Sequence, residues 1–207
     1  MEKSCKKELV LVFIFAGLFC LLSSLVYFCP RLTECDVKIV QGIQGLFSFI
    51  PLEVADFISD FYYKTMYYLW GIVFIYMVAK KDFVSLIFYI LFVKLFVLTK
   101  EFFKMVIARP RPSIELQLLV HPAGWSYPSG HSLLNMVFFG ILAYLIKKHV
   151  ENVILKNILI SLCILWILIV GLSRILLGVH YLTDVIGGFL LASVAICLFI
   201  FVDKNLN

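Results

Sequence analysis

The chain carries little charge. Asp, Glu, Lys and Arg make up 15% of its 207 residues, whereas 63% of the residues are hydrophobic. Soluble globular domains are about 25% charged and about half apolar. This composition therefore excludes an ordinary soluble domain and predicts an integral membrane protein. The sequence also lacks internal repeats and low-complexity linkers, so we expect one domain over residues 1–207.

Basic residues are in modest excess, because 18 Lys and Arg accompany 13 Asp and Glu. The sequence has no basic helix and no basic patch interleaved with aromatic residues, so it predicts no nucleic-acid partner. Six cysteines indicate a disulfide framework only in a small secreted domain. Cys29 and Cys35 flank a predicted loop, and they are expected to pair only if that loop faces an oxidising compartment.

Six apolar runs are predicted to cross the bilayer as helices. They are residues 9–29, 61–79, 83–104, 131–146, 157–174 and 180–202. The first run is too long for the core of a signal peptide, and no cleavage site of the A-x-A type follows it. Between the first two runs, apolar residues at positions 37, 40, 43, 47 and 50 recur at helical spacing, which predicts a helix in the membrane interface. The predicted fold is all-α, a polytopic membrane protein with six transmembrane helices and this interfacial helix.

The lysines indicate an orientation. With the N-terminus inside the cell, the basic residues at the cytoplasmic ends are Lys3, Lys6, Lys7, Lys80, Lys81, Lys147, Lys148, Lys156 and Lys204. Fewer basic residues lie on the opposite side. The positive-inside rule therefore predicts a multi-pass protein of the cell membrane with both termini in the cytoplasm.

Charged and titratable residues interrupt the apolar runs in four clusters. The clusters are Lys104 with Arg109 and Arg111 at the end of the third run, His131 at the start of the fourth, Arg174 at the end of the fifth, and His180 with Asp184 at the start of the sixth. Because successive spans run in opposite directions, all four clusters are predicted to lie at the extracytoplasmic face. Ionisable groups at membrane depth are costly and are usually paired or functional.

Each cluster alone has a structural explanation. His180 and Asp184 are one helical turn apart and suit a structural pair, Arg174 suits a snorkelling anchor, and the PSGH sequence at 128–131 suits a capped helix start. These explanations do not account for several cations, two histidines and a carboxylate at one membrane face. A transporter or proton channel is the alternative from another class. Transporter sites lie near the bilayer midplane, however, whereas these charges lie at helix ends.

The cations and the helix start are typical of a phosphate site. Ser129 and Gly130 lie at a predicted helix N-terminus, where backbone N–H groups favour an anion and glycine permits its close approach. Lys104, Arg111 and Arg174 can neutralise phosphoryl oxygens in the way that metal ions do elsewhere. The two histidines are then available for chemistry.

The histidines suit two different roles. Asp184, one turn after His180, can accept a proton from Nδ1 of that ring and leave Nε2 free to attack. His180 is therefore the predicted nucleophile. His131 is the predicted general acid.

Three stretches resemble the signatures of the type 2 phosphatidic acid phosphatase family, which are K-x6-R-P, P-S-G-H and S-R-x5-H-x3-D. In this chain they are Lys104-MVIARP-Arg111-Pro112, Pro128-Ser129-Gly130-His131 and Ser173-Arg174-ILLGV-His180-YLT-Asp184. The family includes membrane lipid phosphatases, vanadium haloperoxidases and glucose-6-phosphatase. The six apolar runs resemble the membrane members and exclude the soluble haloperoxidase architecture.

The resemblance implies a mechanism. His180 would form a phosphohistidine, His131 would protonate the leaving oxygen and then help to activate water, and the remaining signature residues would hold the phosphate. The family works without a divalent metal, so the resemblance implies neither a metal nor another cofactor. Lys100 and Glu101 fall outside the signatures and are predicted to form a local polar pair or to lie behind the residues that contact the phosphate.

The resemblance also implies a lipid phosphate as the substrate, hydrolysed at the outer leaflet. We favour an isoprenyl diphosphate such as undecaprenyl diphosphate, or phosphatidylglycerol phosphate, while phosphatidic acid and lipid A are the alternatives. The loop at 113–126 and the predicted interfacial helix at 36–50 are expected to select the head group. Membrane lipids are the other expected contact, and the sequence predicts no particular oligomeric state.

Overall fold

The computed structural model describes residues 2–79, 81 and 83–206, and some side chains within its helices lie outside the described set. Seven α-helices and no strand occur in this part of the chain. In chain order the helices are α1 (Glu2–Phe28), α2 (Pro30–Leu46), α3 (Leu52–Ala79), α4 (Phe83–Ile107), α5 (Gly130–His149), α6 (Val153–Leu176) and α7 (Leu182–Leu206). The predicted all-α fold is confirmed.

Local capping signals explain several helix boundaries. Pro30 occupies the first turn of α2, where its missing N–H is not needed. The side chain of Ser129 accepts the Ser132 N–H at the start of α5. Asn152 caps α6 in the same way, because its Oδ1 accepts the Leu155 N–H at 3.0 Å.

Each predicted span coincides with a helix. Within the described residues, the helical segments that are long and apolar enough to cross a membrane are Lys7–Phe28, Gly130–His149, Val153–Leu176 and Leu182–Asn205. These segments belong to α1, α5, α6 and α7. Helices α3 and α4 cover the two other predicted spans, and the count of six crossings stays a prediction.

Helix α7 contacts α1, α2, α4, α5 and α6. Ala195 and Phe199 of α7 are buried in one core with Val137 and Ile141 of α5. A Cβ at Gly188 would lie 2.7 Å from the backbone oxygen of Ser129, so glycine is needed where the two helices approach. This close packing sets the start of α5 against the first turns of α7.

Helix α2 is tied into the protein by polar contacts. Asp36 and Val40, one turn apart, are fully buried, at 1% and 0% exposure. The Gln44 side-chain amide donates to the backbone oxygens of Leu116 at 2.8 Å and Leu176 at 3.1 Å. The predicted helix exists, but it begins at residue 30 and ends at 46, because residues 47–50 form a turn and bend. This helix therefore supports the loops that follow α4 and α6.

The two cysteines beside the start of α2 are free thiols. Cys29 precedes the helix and Cys35 lies within it, where its side chain is exposed. The conditional disulfide between them is absent from the described structure. The predicted loop between the two cysteines is absent, because α2 begins directly after Cys29 and includes Cys35.

A second group of polar contacts, which we call the C-terminal cluster, ties the end of α7 to α1 and α5. Lys148 donates to both carboxylate oxygens of Asp203, at 2.9 and 2.8 Å, and the Tyr144 hydroxyl donates to the same carboxylate. Lys204 donates to Glu8 at 2.7 Å. In this cluster each named cation has a carboxylate partner.

Candidate active site

Two loops at the other end of the bundle, residues 108–129 and 177–181, carry the candidate site. The Leu118 N–H donates to the Leu177 carbonyl at 3.2 Å and joins them. Gly178 has a φ of +69°, and a Cβ there would lie 1.7 Å from the Leu116 carbonyl oxygen. Only glycine fits this position. It allows the two loops to close against each other.

A cavity of about 150 Å³ lies beside these loops. Its lining is rich in cationic and titratable side chains and consists of Lys100, Lys104, Arg111, Pro122, Gly130, His131, Leu134, Arg174 and His180. We call it the cationic cavity. It brings together six of the eight residues that the sequence singled out, while Asp184 and Ser129 lie outside its lining. None of these described lining residues is a carboxylate, and within the described residues no group of three or more His, Cys, Asp or Glu could hold a metal ion.

Neutral backbone oxygens hold two of the cations. The Lys104 ammonium donates to the Trp125 carbonyl at 3.1 Å. The Arg111 guanidinium donates to the carbonyls of Gly124 at 3.1 Å and Val179 at 2.9 Å. Burial lowers the pKa of Arg111 from its usual value, but a guanidinium stays protonated in proteins. Carbonyl groups position both cations without cancelling their charge, so an anion in the cavity is favoured.

The end of α6 sets Arg174 and His180 at the same cavity. Arg174 is buried at 5% exposure, and its guanidinium donates to the Ser59 hydroxyl of α3. The Arg174 carbonyl accepts the N–H groups of Val179 at 3.2 Å and His180 at 3.3 Å. These contacts fold the turn back on the helix end. The motif spacing between Arg174 and His180 therefore has a structural cause.

The His180 ring is held between a cation and a carboxylate. Its Nε2 lies 3.4 Å from the Arg111 guanidinium, and its Nδ1 lies 3.4 Å from Oδ2 of Asp184. Since arginine can only donate, this geometry fits a ring with its proton on Nδ1 and a lone pair on Nε2. Burial lowers the pKa of His180 to about 4, against the opposing effect of Asp184. The ring is thus neutral at pH 7, as a nitrogen nucleophile must be.

Asp184 lies behind His180, with 0% of its surface exposed. Its carboxylate accepts the Tyr181 N–H at 2.9 Å and the Ser126 hydroxyl, besides facing Nδ1 of His180. Arg109 donates to the other oxygen at 2.7 Å. These donors fix the carboxylate from several directions, so Asp184 can orient the histidine.

Arg109 is the centre of a buried ion network that the sequence did not reveal. Its guanidinium donates to Asp184 at 2.7 Å and to Asp36 at 2.8 Å, and it stacks on the Tyr181 ring at 4.1 Å. Burial opposes the charge of Arg109, but the two carboxylates raise its pKa above the usual value. One sequence signal pointed to Asp36: it is an acid one turn before Val40, on the apolar face of a predicted helix.

Ser129 differs from its predicted role. Its backbone N–H donates to the backbone oxygen of Asp184 at 3.0 Å, and its hydroxyl accepts from Ser132. The N–H that was expected to bind an anion is therefore used to join α5 to α7. The physical reason is the close approach of the two helices at Gly188. Gly130, the next residue, does line the cavity.

Lys100 is a fourth cation at the cavity. The predicted pair with Glu101 is confirmed, at 2.6 Å. The Lys100 side chain also passes over the start of α5, because a Cβ at Gly130 would lie 3.0 Å from its Cδ and 3.4 Å from its Nζ. The sequence spacing could have indicated that Lys100 lies at the site, since residues four apart on a helix share a face. Lys100 and Lys104 have that spacing.

These features agree with a family assignment. The family model of the PAP2 superfamily matches residues 82–207, which is more than half of the chain, so the chain belongs to the PAP2 superfamily. Phosphatidylglycerophosphatase B of Bacillus subtilis (strain 168) is 37% identical over 93 residues. The match covers 44% of this chain and 45% of that protein, so the chain spans less than half the length of this curated relative.

Two solved structures are similar to this one. The first transmembrane PAP2 type phosphatidylglycerolphosphate phosphatase from Bacillus subtilis superposes with a TM-score of 0.82 at 24% identity, covering 95% of this chain and 97% of that one. LpxE of Aquifex aeolicus superposes with a TM-score of 0.54 at 26% identity, covering 79% and 93%. The first likeness extends over nearly the whole chain and shows that the fold is shared, including the helices that precede residue 82.

Proposed function

We propose that this protein is an integral-membrane lipid phosphatase that works through a phosphohistidine on His180. The cationic cavity carries the proposal. It is lined by four cations and two histidines, and none of its described lining residues is a carboxylate. Such a cavity favours the charge of a phosphoryl group. Membership of the PAP2 superfamily and the likeness to phosphatidylglycerophosphatase B support the same activity.

The first step transfers the phosphoryl group to the enzyme. Nε2 of His180 attacks phosphorus, and the bond from nitrogen to phosphorus forms as the bond from phosphorus to the lipid oxygen breaks. His131, in its protonated form, gives its proton to the departing oxygen. Asp184 keeps the proton on Nδ1 and stabilises the positive charge that develops on the ring.

The second step releases phosphate. His131, now neutral, takes a proton from water as the water oxygen attacks phosphorus. The bond to His180 breaks, inorganic phosphate leaves, and His131 is again protonated. Lys104, Arg111 and Arg174 neutralise the phosphoryl oxygens in both steps.

Lys100 supports a substrate with two phosphorus centres. Three signature cations line the cavity for one phosphoryl group, and the Lys100 ammonium, which also pairs with Glu101, is a fourth cationic donor above the start of α5. An isoprenyl diphosphate carries a second phosphoryl group, and phosphatidylglycerol phosphate carries a phosphodiester beside its terminal phosphate. Phosphatidic acid has neither. We therefore favour the first two lipids.

Phosphate release from a panel of lipids tests the proposal. The purified protein is mixed in detergent micelles with undecaprenyl diphosphate, phosphatidylglycerol phosphate, phosphatidic acid or lipid A. We expect release from at least one lipid, fastest from the first two, and none with His180→Gln. The Lys147→Gln variant, which removes an exposed lysine at the other end of α5, is the matched control. Absence of release from every lipid would reject the phosphatase, and ion flux in proteoliposomes would then support the transporter alternative.

The proposed topology has six crossings, with both termini in the cytoplasm and the cavity at the extracytoplasmic face. Single cysteines are placed at His121 and Lys147, both exposed and at opposite ends of the bundle, in a protein without its native cysteines. An impermeant thiol reagent applied to intact cells should label the cysteine at 121 and spare the one at 147. The opposite labelling pattern would invert the topology.

A further inference from the structure

Asp36 lies outside the region that the family model matches, yet it contacts Arg109, which in turn holds Asp184 behind His180. The match begins at residue 82, whereas Asp36 belongs to α2. Its carboxylate is 1% exposed and accepts from Arg109 at 2.8 Å. It also accepts the backbone N–H of Thr183 at 3.3 Å, at the start of α7. Helix α2 thus contributes a buried charge to the end of α7.

The charges of this network do not cancel. Arg109 bridges two carboxylates, Asp36 and Asp184, and all three groups are at most 4% exposed. With both acids ionised, the three groups together carry one negative charge. Without Asp36, the positive charge of Arg109 would cancel the negative charge of Asp184, and the remaining pair would carry no net charge. The negative charge available to His180 therefore depends on Asp36.

We propose that Asp36 is a positioning residue that sets the electrostatic support of His180 through Arg109. The inference rests on the proposed phosphatase function, in which the His180 ring becomes positively charged as it forms its bond to phosphorus. A net negative charge behind the ring stabilises that state. Asp36 acts through Arg109 and Asp184, since it does not line the cavity. Its removal should slow phosphoenzyme formation more than it weakens substrate binding.

The test is the pre-steady-state burst of nitrophenol from nitrophenyl phosphate, measured on the purified full-length protein. Asp36→Asn keeps the shape and most hydrogen bonds of the side chain but removes its charge. We expect the burst rate constant to fall about tenfold or more, with little change in KM. The burst amplitude counts the active molecules, whereas the rate constant is a property of each active molecule. A smaller folded fraction therefore lowers the amplitude and leaves the rate constant unchanged.

Thr33→Val is the matched control. Thr33 accepts from the same guanidinium at 3.2 Å, so this variant removes a contact to Arg109 and leaves every charge in place. We expect its burst rate constant to stay close to that of the unmodified protein. An unchanged rate constant in Asp36→Asn, or an equal fall in Thr33→Val, would overturn the inference. If the unmodified protein hydrolyses no phosphate ester, the proposed function fails instead.

Discussion

The two ends of the helical bundle contain polar clusters of opposite character. In the C-terminal cluster, Lys148 pairs with Asp203 and Lys204 pairs with Glu8. In the cationic cavity, Lys104 and Arg111 face carbonyl oxygens instead of carboxylates. Both ends bury charge, but carboxylates balance Lys148 and Lys204, whereas neutral oxygens hold Lys104 and Arg111. A compensated cluster can hold helices together, whereas cations held by neutral oxygens favour an anionic ligand.

Acids are nevertheless present at the cavity end, one layer away from the cavity. Asp184 and Asp36 both accept from Arg109, and the His180 ring lies between Asp184 and Arg111. The two arginines of one short sequence, Arg109 and Arg111, thus have different surroundings. The Arg109 guanidinium is paired with two carboxylates, whereas the Arg111 guanidinium stays available to an anionic ligand.

Removing the proposed nucleophile should have the largest effect at the cavity end. His180→Ala leaves no ring nitrogen to attack phosphorus, so we expect turnover to fall by at least about 10⁴-fold for every leaving group. Phosphate release and the nitrophenol burst are the measurements. Lys147→Ala, at the compensated end, should stay within about twofold of the unmodified protein. Comparable loss in both variants would mean that the two ends do not differ in function.

Removing His131, the proposed general acid, should have an effect that depends on the leaving group. General acid assistance contributes roughly 10²- to 10⁴-fold when the departing oxygen is a lipid alkoxide. Nitrophenolate departs without such help, so His131→Ala should recover much of the burst with nitrophenyl phosphate. A burst in His180→Ala together with no burst in His131→Ala would show that the two roles are reversed.

A substitution that breaks the C-terminal cluster should lower the thermal stability of the protein and leave its catalytic activity unchanged. Asp203→Asn leaves Lys148 without its ion pair, and loss of a hydrogen bond between charged groups costs about 2 kcal/mol. For a chain of this size the thermal midpoint should drop by roughly 4–8 °C. The kcat/KM value, measured well below that midpoint, should not change. A large loss of kcat/KM in a folded variant would contradict the structural role of this cluster.

A smaller effect concerns the pH dependence of stability. Burial lowers the pKa of His180 to about 4, whereas an unfolded histidine titrates near 6.5. As the pH falls below 6.5, the unfolded chain therefore gains a proton that the folded ring does not, and folding loses about 2 kcal/mol by pH 5. His180→Asn has no titrating group here, so its thermal midpoint should fall less than that of the unmodified protein between pH 7 and 5. Parallel curves for the two proteins would show that the buried ring does not titrate as expected.

The main helices and most of the site were predictable from the sequence. Apolar runs determine helices through local hydrogen bonds and burial, so each predicted span has its helix. The motifs lie next to helix ends, and counting helices was enough to place His131, Arg174 and His180 on one side. The spacing of His180 and Asp184 likewise follows from one helical turn.

Contacts between distant segments depended on the tertiary structure. Asp36 meets Arg109 across 73 positions and Thr183 across 147, and no local pattern encodes such partners. Packing at Gly188 likewise directed the Ser129 N–H to Asp184 and away from an anion. The sequence by itself determined which segments are helical and which residues are candidates for the chemistry, because both follow from residue type and short-range spacing. Only the tertiary structure decided which charges are cancelled and which stay available, because that depends on the neighbours each side chain meets when the helices pack.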